Sequence, residues 1–143
     1  MAQTIREVMT RDVEVIGPQD TLRDAAEKMR SLNVGALPVC AADRVVGMLT
    51  DRDIVVRAIA LGMDSAVTTV EDAMTGNVQF CYEEDDAMGV LARMRDMQVR
   101  RFIVVNEDER LVGIVSLGDL SQAVSEQRVG EALEHISESA PTV

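Results

Sequence analysis

Aromatic side chains are almost missing from this chain: no Trp, one Tyr and two Phe among 143 residues. Its core has to be aliphatic, built from Val, Leu, Ile, Ala and nine Met, and a 47% hydrophobic content excludes a disordered chain. Positive charge is also scarce. Fourteen Lys and Arg stand against 25 Asp and Glu, for a net charge of -11. A broad nucleic-acid interface needs a basic field to displace counterions from phosphates, so nucleic acid is not an expected partner. A small anion can still be held where a few Arg side chains dominate locally. There is a single His, and Cys40 and Cys81 show no CxxC spacing. No zinc-finger or redox pattern follows, and both thiols read as small hydrophobes at the ends of apolar runs. Zinc held by Cys40, Cys81 and His135 has suitable atoms without supporting spacing, so no metal is expected. No run approaches the ~20 apolar residues of a membrane helix. The opening MAQTIREVMT lacks a signal-peptide core. A cytoplasmic protein with no membrane contact is expected.

What is present is a repeat. Met9-Thr10 recurs as Met74-Thr75, Met29-Arg30 as Met94-Arg95, and Val39 as Val104, each 65 positions on. Past the next turn the offset becomes 66, taking Arg44 to Arg110, Gly47 to Gly113 and Asp53 to Asp119. The extra residue falls in a polar stretch, Ala41-Ala42-Asp43 against Asn106-Glu107-Asp108-Glu109, where insertions are tolerated. Leu22, Ala25, Ala26, Met29 and Leu32 follow helical spacing, as do Ala87, Val90, Leu91, Met94 and Met97. Pro18 with Asp20-Thr21, and Asp85-Asp86, give the start signals of these helices.

Each helix precedes two β runs, Ala36 to Cys40 with Arg44 to Leu49, and Phe102 to Val105 with Arg110 to Val115. Their β-branched content and tight turns predict hairpins. Further helices are expected over about Asp51 to Leu61 and Leu117 to Val124, and short strands near Val13 to Val15 and Val78 to Phe80. The fold class is α/β (α+β): tandem β-α-β-β-α repeats over 5–64 and 65–126, with a C-terminal helix near Glu131 to Ile136 and a tail over 127–143. Gly62 to Thr69 reads as the linker. A unit of about 60 residues is marginal alone, so the repeats are expected to pack with pseudo-twofold symmetry around a cleft.

Thr50-Asp51-Arg52-Asp53 and Ser116-Leu117-Gly118-Asp119 hold the same place in each repeat, closing a strand and opening a helix. One reading is a capping box, in which hydroxyl and carboxylate satisfy free helix amides. The same pattern occurs at Thr4 to Glu7 and Thr69 to Asp72, where no site is proposed. The other reading is a polyol site, since a carboxylate accepts two hydrogen bonds from a ribose diol and the hydroxyl assists. Gly47 and Gly113 just upstream would permit close approach of a backbone or a flat ligand. Arg52, Arg100 and Arg101 suit phosphate oxygens; Arg100-Arg101 could equally be a solvated edge that discourages aggregation.

The stretches NVGALPVCAADRVVGMLTDRDIV and QVRRFIVVNEDERLVGIVSLGDL resemble the most recognisable part of the cystathionine β-synthase (CBS) domain, and two copies cover about residues 5 to 125. The chain looks like a stand-alone bacterial CBS pair, or Bateman module. The resemblance implies a non-catalytic regulatory protein. Its ligand would contain adenosine: AMP, ADP, ATP, NAD or S-adenosylmethionine. It also implies a homodimer acting on an unknown protein target. Thr50 and Asp53, and Ser116 and Asp119, would hold ribose. Backbone near Ala36, Leu37 and Pro38, and near Arg101, Phe102 and Ile103, would flank adenine, with Val13 and Val78 closing the apolar wall. Ile103 stands where the family motif, and Pro38 in the first repeat, have Pro. Gly35-Ala36 replaces the basic pair Arg100-Arg101, so the two sites should differ in phosphate affinity. The alternatives are a dimeric interaction protein without ligand and, behind it, a metal-binding CBS protein. An enzyme is not expected, because no nucleophile–base pair is evident.

Overall fold

The computed structural model describes residues 3–134. In chain order these form α1 (Ile5–Val8), β1 (Thr10–Arg11), α2 (Leu22–Leu32), β2 (Ala36–Ala41), β3 (Arg44–Thr50), α3 (Asp51–Ile54), a π-helical turn (Val55–Ile59), α4 (Val70–Ala73), β4 (Phe80–Tyr82), α5 (Ala87–Met97), β5 (Arg101–Val105), β6 (Leu111–Ser116) and α6 (Leu117–Glu134). The chain folds as two compact units. One contains 12–79 and 108–111; the other contains 3–11, 80–107 and 112–134. Each unit therefore takes the helix–strand lead of the other repeat, α4 in the first and α1 with β1 in the second.

In the unit built on the second repeat, a four-stranded sheet runs β1-β6-β5-β4. Its edges are set by Thr10 opposite Ile114 and, in parallel, Cys81 beside Val104. The unit built on the first repeat reproduces this order with less strand. The β2–β3 hairpin is flanked by single bridges, Thr75 to Met48 on one side and Ile16 to Val39 on the other. The strand expected at Val13 to Val15 is thus reduced to one bridge at Ile16, and its counterpart lies at Phe80–Tyr82. Gly17 and Pro18 follow Ile16 immediately, and Pro has no amide to extend a ladder.

Helices α2 and α5 begin where their side chains can cap them. Thr21 accepts the amide of Asp24, and Asp86 that of Gly89, both at 3.1 Å. Both end on a left-handed residue, Asn33 and Gln98, each at φ 56°. Leu22, Ala25 and Met29, and Ala87, Val90, Leu91 and Met94, are buried as the spacing requires. Ala26, Leu32 and Met97 are exposed instead, because the stripe turns away from the core at those positions. The cores are aliphatic. Leu22, Leu37, Val39, Leu49 and Val70 close one, and Ile5, Met94, Phe102, Val104 and Leu120 the other. Each fully buried side chain of this size contributes about 1.5–3 kcal/mol.

Two helix expectations change. The segment expected as one helix over Asp51 to Leu61 is α3 followed by a π turn ending at Ile59, closed by the Ala60 amide on the Val55 carbonyl at 2.9 Å. The helix expected over Leu117 to Val124 continues unbroken to Glu134 and absorbs the start of the separate helix expected from Glu131; His135 and Ile136 lie outside the described residues. The 62–69 stretch is not a loose tether. Its Thr68 and Ser65 carbonyls accept the Leu22 and Arg23 amides at 2.9 and 3.1 Å. Among the described residues no helix is long and apolar enough to cross a membrane.

Candidate functional site

The Thr50 and Ser116 hydroxyls sit at the ends of β3 and β6, where the chain turns directly into a helix. The turn is fixed by one hydrogen bond in each repeat: the Asp51 amide donates to the Gly35 carbonyl at 3.0 Å, and the Leu117 amide to the Arg100 carbonyl at 2.7 Å. Upstream, Gly47 and Gly113 make room for backbone rather than ligand. A Cβ on Gly47 would lie 2.7 Å from Met74 Sδ and 2.9 Å from the Thr75 carbonyl; one on Gly113 would lie 2.5 Å from the Thr10 carbonyl and 2.9 Å from Met9 Sδ. The repeated Met-Thr pair and the repeated Gly are therefore one packing device.

The two boxes differ. At the first, the Thr50 hydroxyl accepts the Asp53 amide at 3.1 Å, and the Asp53 carboxylate accepts the Thr50 amide at 3.0 Å. This is a complete capping box, as at Thr4 and Thr69. The Asp53 side chain is only 14% exposed, and its second oxygen lies 4.0 Å from Arg57 Nε. At the second, the Ser116 hydroxyl accepts the Asp119 amide at 3.0 Å. The Asp119 carboxylate is exposed and has no donor among the described residues.

The other expected contacts sort by burial. Leu37, Pro38, Phe102 and Ile103 are buried, and the side chains of Leu37 and Phe102 belong to the cores. Only their backbone could meet a ligand, and the Pro38 carbonyl already accepts the Ile16 amide at 3.0 Å. Ala36, Val13 and Val78 are partly exposed. Arg52, Arg100 and Arg101 are exposed, and no acceptor among the described residues holds their side chains.

Arg57 is the residue that sequence reasoning passed over. Its Nη1 donates to the carbonyls of Ala73 and Met74 at 3.2 and 3.1 Å, while Nε faces Asp53. The four-residue spacing from Asp53 was the available signal. Of the two thiols, Cys81 is buried, and desolvation, then the nearby Asp85 charge, pushes it up to about 12. Cys40 is half-buried and raised by desolvation, then by Asp43. Among the described residues no three His, Cys, Asp or Glu side chains gather as a metal site.

The family model described as CBS domain matches residues 5–59 and 70–126. The uncharacterized protein YlbB of Bacillus subtilis is 42% identical over 139 residues, covering 94% of this chain and 91% of that protein. The crystal structure of Hypoxic Response Protein I, which has two coordinated zinc ions, superposes with a TM-score of 0.73 at 38% identity, covering 84% of this chain and 98% of that one. CBSX2, solved in complex with AMP, superposes with a TM-score of 0.74 at 24% identity, covering 87% and 97%. The second of these relatives carries zinc and the third a nucleotide, so the shared fold alone does not select a ligand. With both repeats matched and their registers equivalent, the chain belongs to the CBS domain family, as a tandem pair.

Proposed function

We propose that this CBS pair is a non-catalytic regulatory module that binds an adenosine-containing ligand at its Ser/Thr-x-x-Asp boxes. The observation that carries the reading is the Asp119 carboxylate, exposed and, among the described residues, without a donor at the start of α6, beside a hydroxyl already oriented by the Asp119 amide. A ribose diol would supply the two O–H donors that this carboxylate can accept. Arg100 and Arg101 of the same repeat, which no acceptor among the described residues holds, are suited to the phosphate oxygens of AMP, ADP or ATP. A protein of the same fold holds AMP, which supports the ligand class. Regulation follows if the ligand has unequal affinity for two conformations of the module.

Homodimerisation is a second part of the proposal. Val55, Val56, Ile59 and Leu61 are each at least half exposed along and just after the π turn, with Met63 behind them. Such a run is costly to leave in water. Light scattering is expected to give twice the chain mass, and Ile59→Glu to return it to one. Zinc is the alternative reading, since a relative 38% identical to this chain carries two coordinated zinc ions.

A melting series with AMP, ADP, ATP, NAD and S-adenosylmethionine tests the ligand. At a concentration 100 times the dissociation constant, stabilisation of about 2.7 kcal/mol is expected. The shift should vanish in Asp119→Ala. No shift with any of the five would leave the interaction surface as the function.

A further inference from the structure

The two boxes share a backbone and a motif, yet among the described residues only the Asp119 carboxylate is without a donor or a cation beside it. We propose that Arg57 closes the first-repeat box from within the chain, so that each copy takes one adenosine ligand, at Ser116 and Asp119. This rests on reading the box as a ribose holder, and adds which box is competent and what decides it.

Both Asp53 oxygens face a donor or a cation of their own unit. Oδ2 accepts the Thr50 amide at 3.0 Å, and Oδ1 faces Arg57 Nε at 4.0 Å. A diol arriving at Asp53 would have to displace a cation from a side chain that is 14% exposed. Arg57 is not free to swing aside, because Nη1 is held by the carbonyls of Ala73 and Met74 at the end of α4, where helix carbonyls lack intrahelical donors. Moving it would break both hydrogen bonds as well as withdraw the cation from Asp53. The π turn that carries Arg57 is peculiar to the first repeat; the matching part of α6 is plain α-helix.

The second repeat has none of this. Sixty-six positions on from Arg57 stands Ala123, partly buried and unable to donate to a carboxylate. Asp119 is exposed, and the one contact within its box runs from its own amide to Ser116. Ribose binding there breaks no existing side-chain contact. The arginine is therefore a specificity-determining residue that acts through Asp53 without touching ligand.

Isothermal titration of the full chain with AMP tests this, using wild type, Arg57→Gln and Ala123→Arg, each first shown to melt cooperatively. Wild type is expected to bind one AMP per chain. Arg57→Gln keeps amide donors for the carbonyls but removes the charge facing Asp53, and should raise the stoichiometry towards two. Ala123→Arg moves the cation to the other box and should weaken the single site at least tenfold. If Arg57→Gln fails to fold, Ala123→Arg decides alone. Two AMP per wild-type chain, unchanged stoichiometry in a folded Arg57→Gln, or unchanged or tighter binding in Ala123→Arg would overturn the closure while leaving adenosine binding intact. No heat from any of the three proteins, with AMP or with ADP, ATP, NAD and S-adenosylmethionine in its place, would sink the ribose reading itself, and the closure with it.

Discussion

The two repeats agree in backbone to the level of single bridges and disagree in the side chains laid over it. Thr10 pairs with Ile114 as Thr75 pairs with Met48; Cys81 pairs with Val104 as Ile16 with Val39; Thr4 pairs with Asp86 as Thr69 with Thr21. A helix cation reaches back to the equivalent carbonyl in both: Lys28 donates to Val15 at 2.6 Å, and Arg93 to Phe80 at 3.2 Å. Yet the first repeat closes its Ser/Thr-x-x-Asp box with Arg57, and the second leaves Asp119 open. Aliphatic spacing and two glycines suffice to duplicate a fold. The two copies differ at a handful of polar positions that the backbone does not dictate.

Substitutions at matched positions sharpen this contrast. The largest effect is expected in the cores, where Phe102 occupies the place of Leu37 and both are buried. Phe102→Ala should cost about 4 kcal/mol and Leu37→Ala about 3 kcal/mol, read from denaturant midpoints. Phe102 also underlies the Arg93 guanidinium at 4.8 Å from its ring centre, a contact Leu37 cannot offer. Equal costs would show that the aromatic adds nothing to the second core.

Next come the glycines. Gly113→Ala drives a methyl against the Thr10 carbonyl, backbone that has little freedom to retreat. A loss of about 3 kcal/mol is expected, against about 1–2 kcal/mol for Gly47→Ala, where the nearest atom is the flexible Met74 sulfur and the backbone carbonyl of Thr75 stands at 2.9 Å rather than 2.5 Å. Thermal melts of the two variants check the order.

A smaller effect separates the boxes directly. Asp53→Ala removes an acceptor from the Thr50 amide and should cost about 1 kcal/mol. Asp119→Ala removes a carboxylate that holds no donor among the described residues and should stay within about 0.5 kcal/mol. The ligand-binding effect is expected to run the opposite way, large at Asp119 and slight at Asp53. The smallest signal is chemical. Thiolate is the reactive form, and with its pKa near 12 Cys81 stays protonated at pH 8. Iodoacetamide should label Cys40 well before Cys81, followed by mass spectrometry; the reverse order would mean that the Cys81 strand opens.

Much of the fold was legible in the sequence, because helical and alternating periodicity survive duplication and the 65-residue offset marks equivalent positions twice. The α2 and α5 boundaries followed from Thr21 and Asp86, whose capping roles are local. What escaped were features set by non-local contacts. The Ile16 bridge depends on one partner in β2, and the π turn after Ile54 has no short-range signature. Gly47 and Gly113 were correctly singled out as points of close approach, but their partners, Met74-Thr75 and Met9-Thr10, are distant in sequence. The boxes were found by pattern; their inequality was not, because it resides in Arg57, whose acceptors lie 16 and 17 residues away.

The central claim can be watched residue by residue with an amide NMR titration of AMP into the labelled wild-type chain. The account predicts saturable shifts at Ser116, Gly118 and Asp119, with Thr50 and Asp53 staying in place. Matching shifts at both boxes, or movement at Thr50 and Asp53 alone, would contradict it.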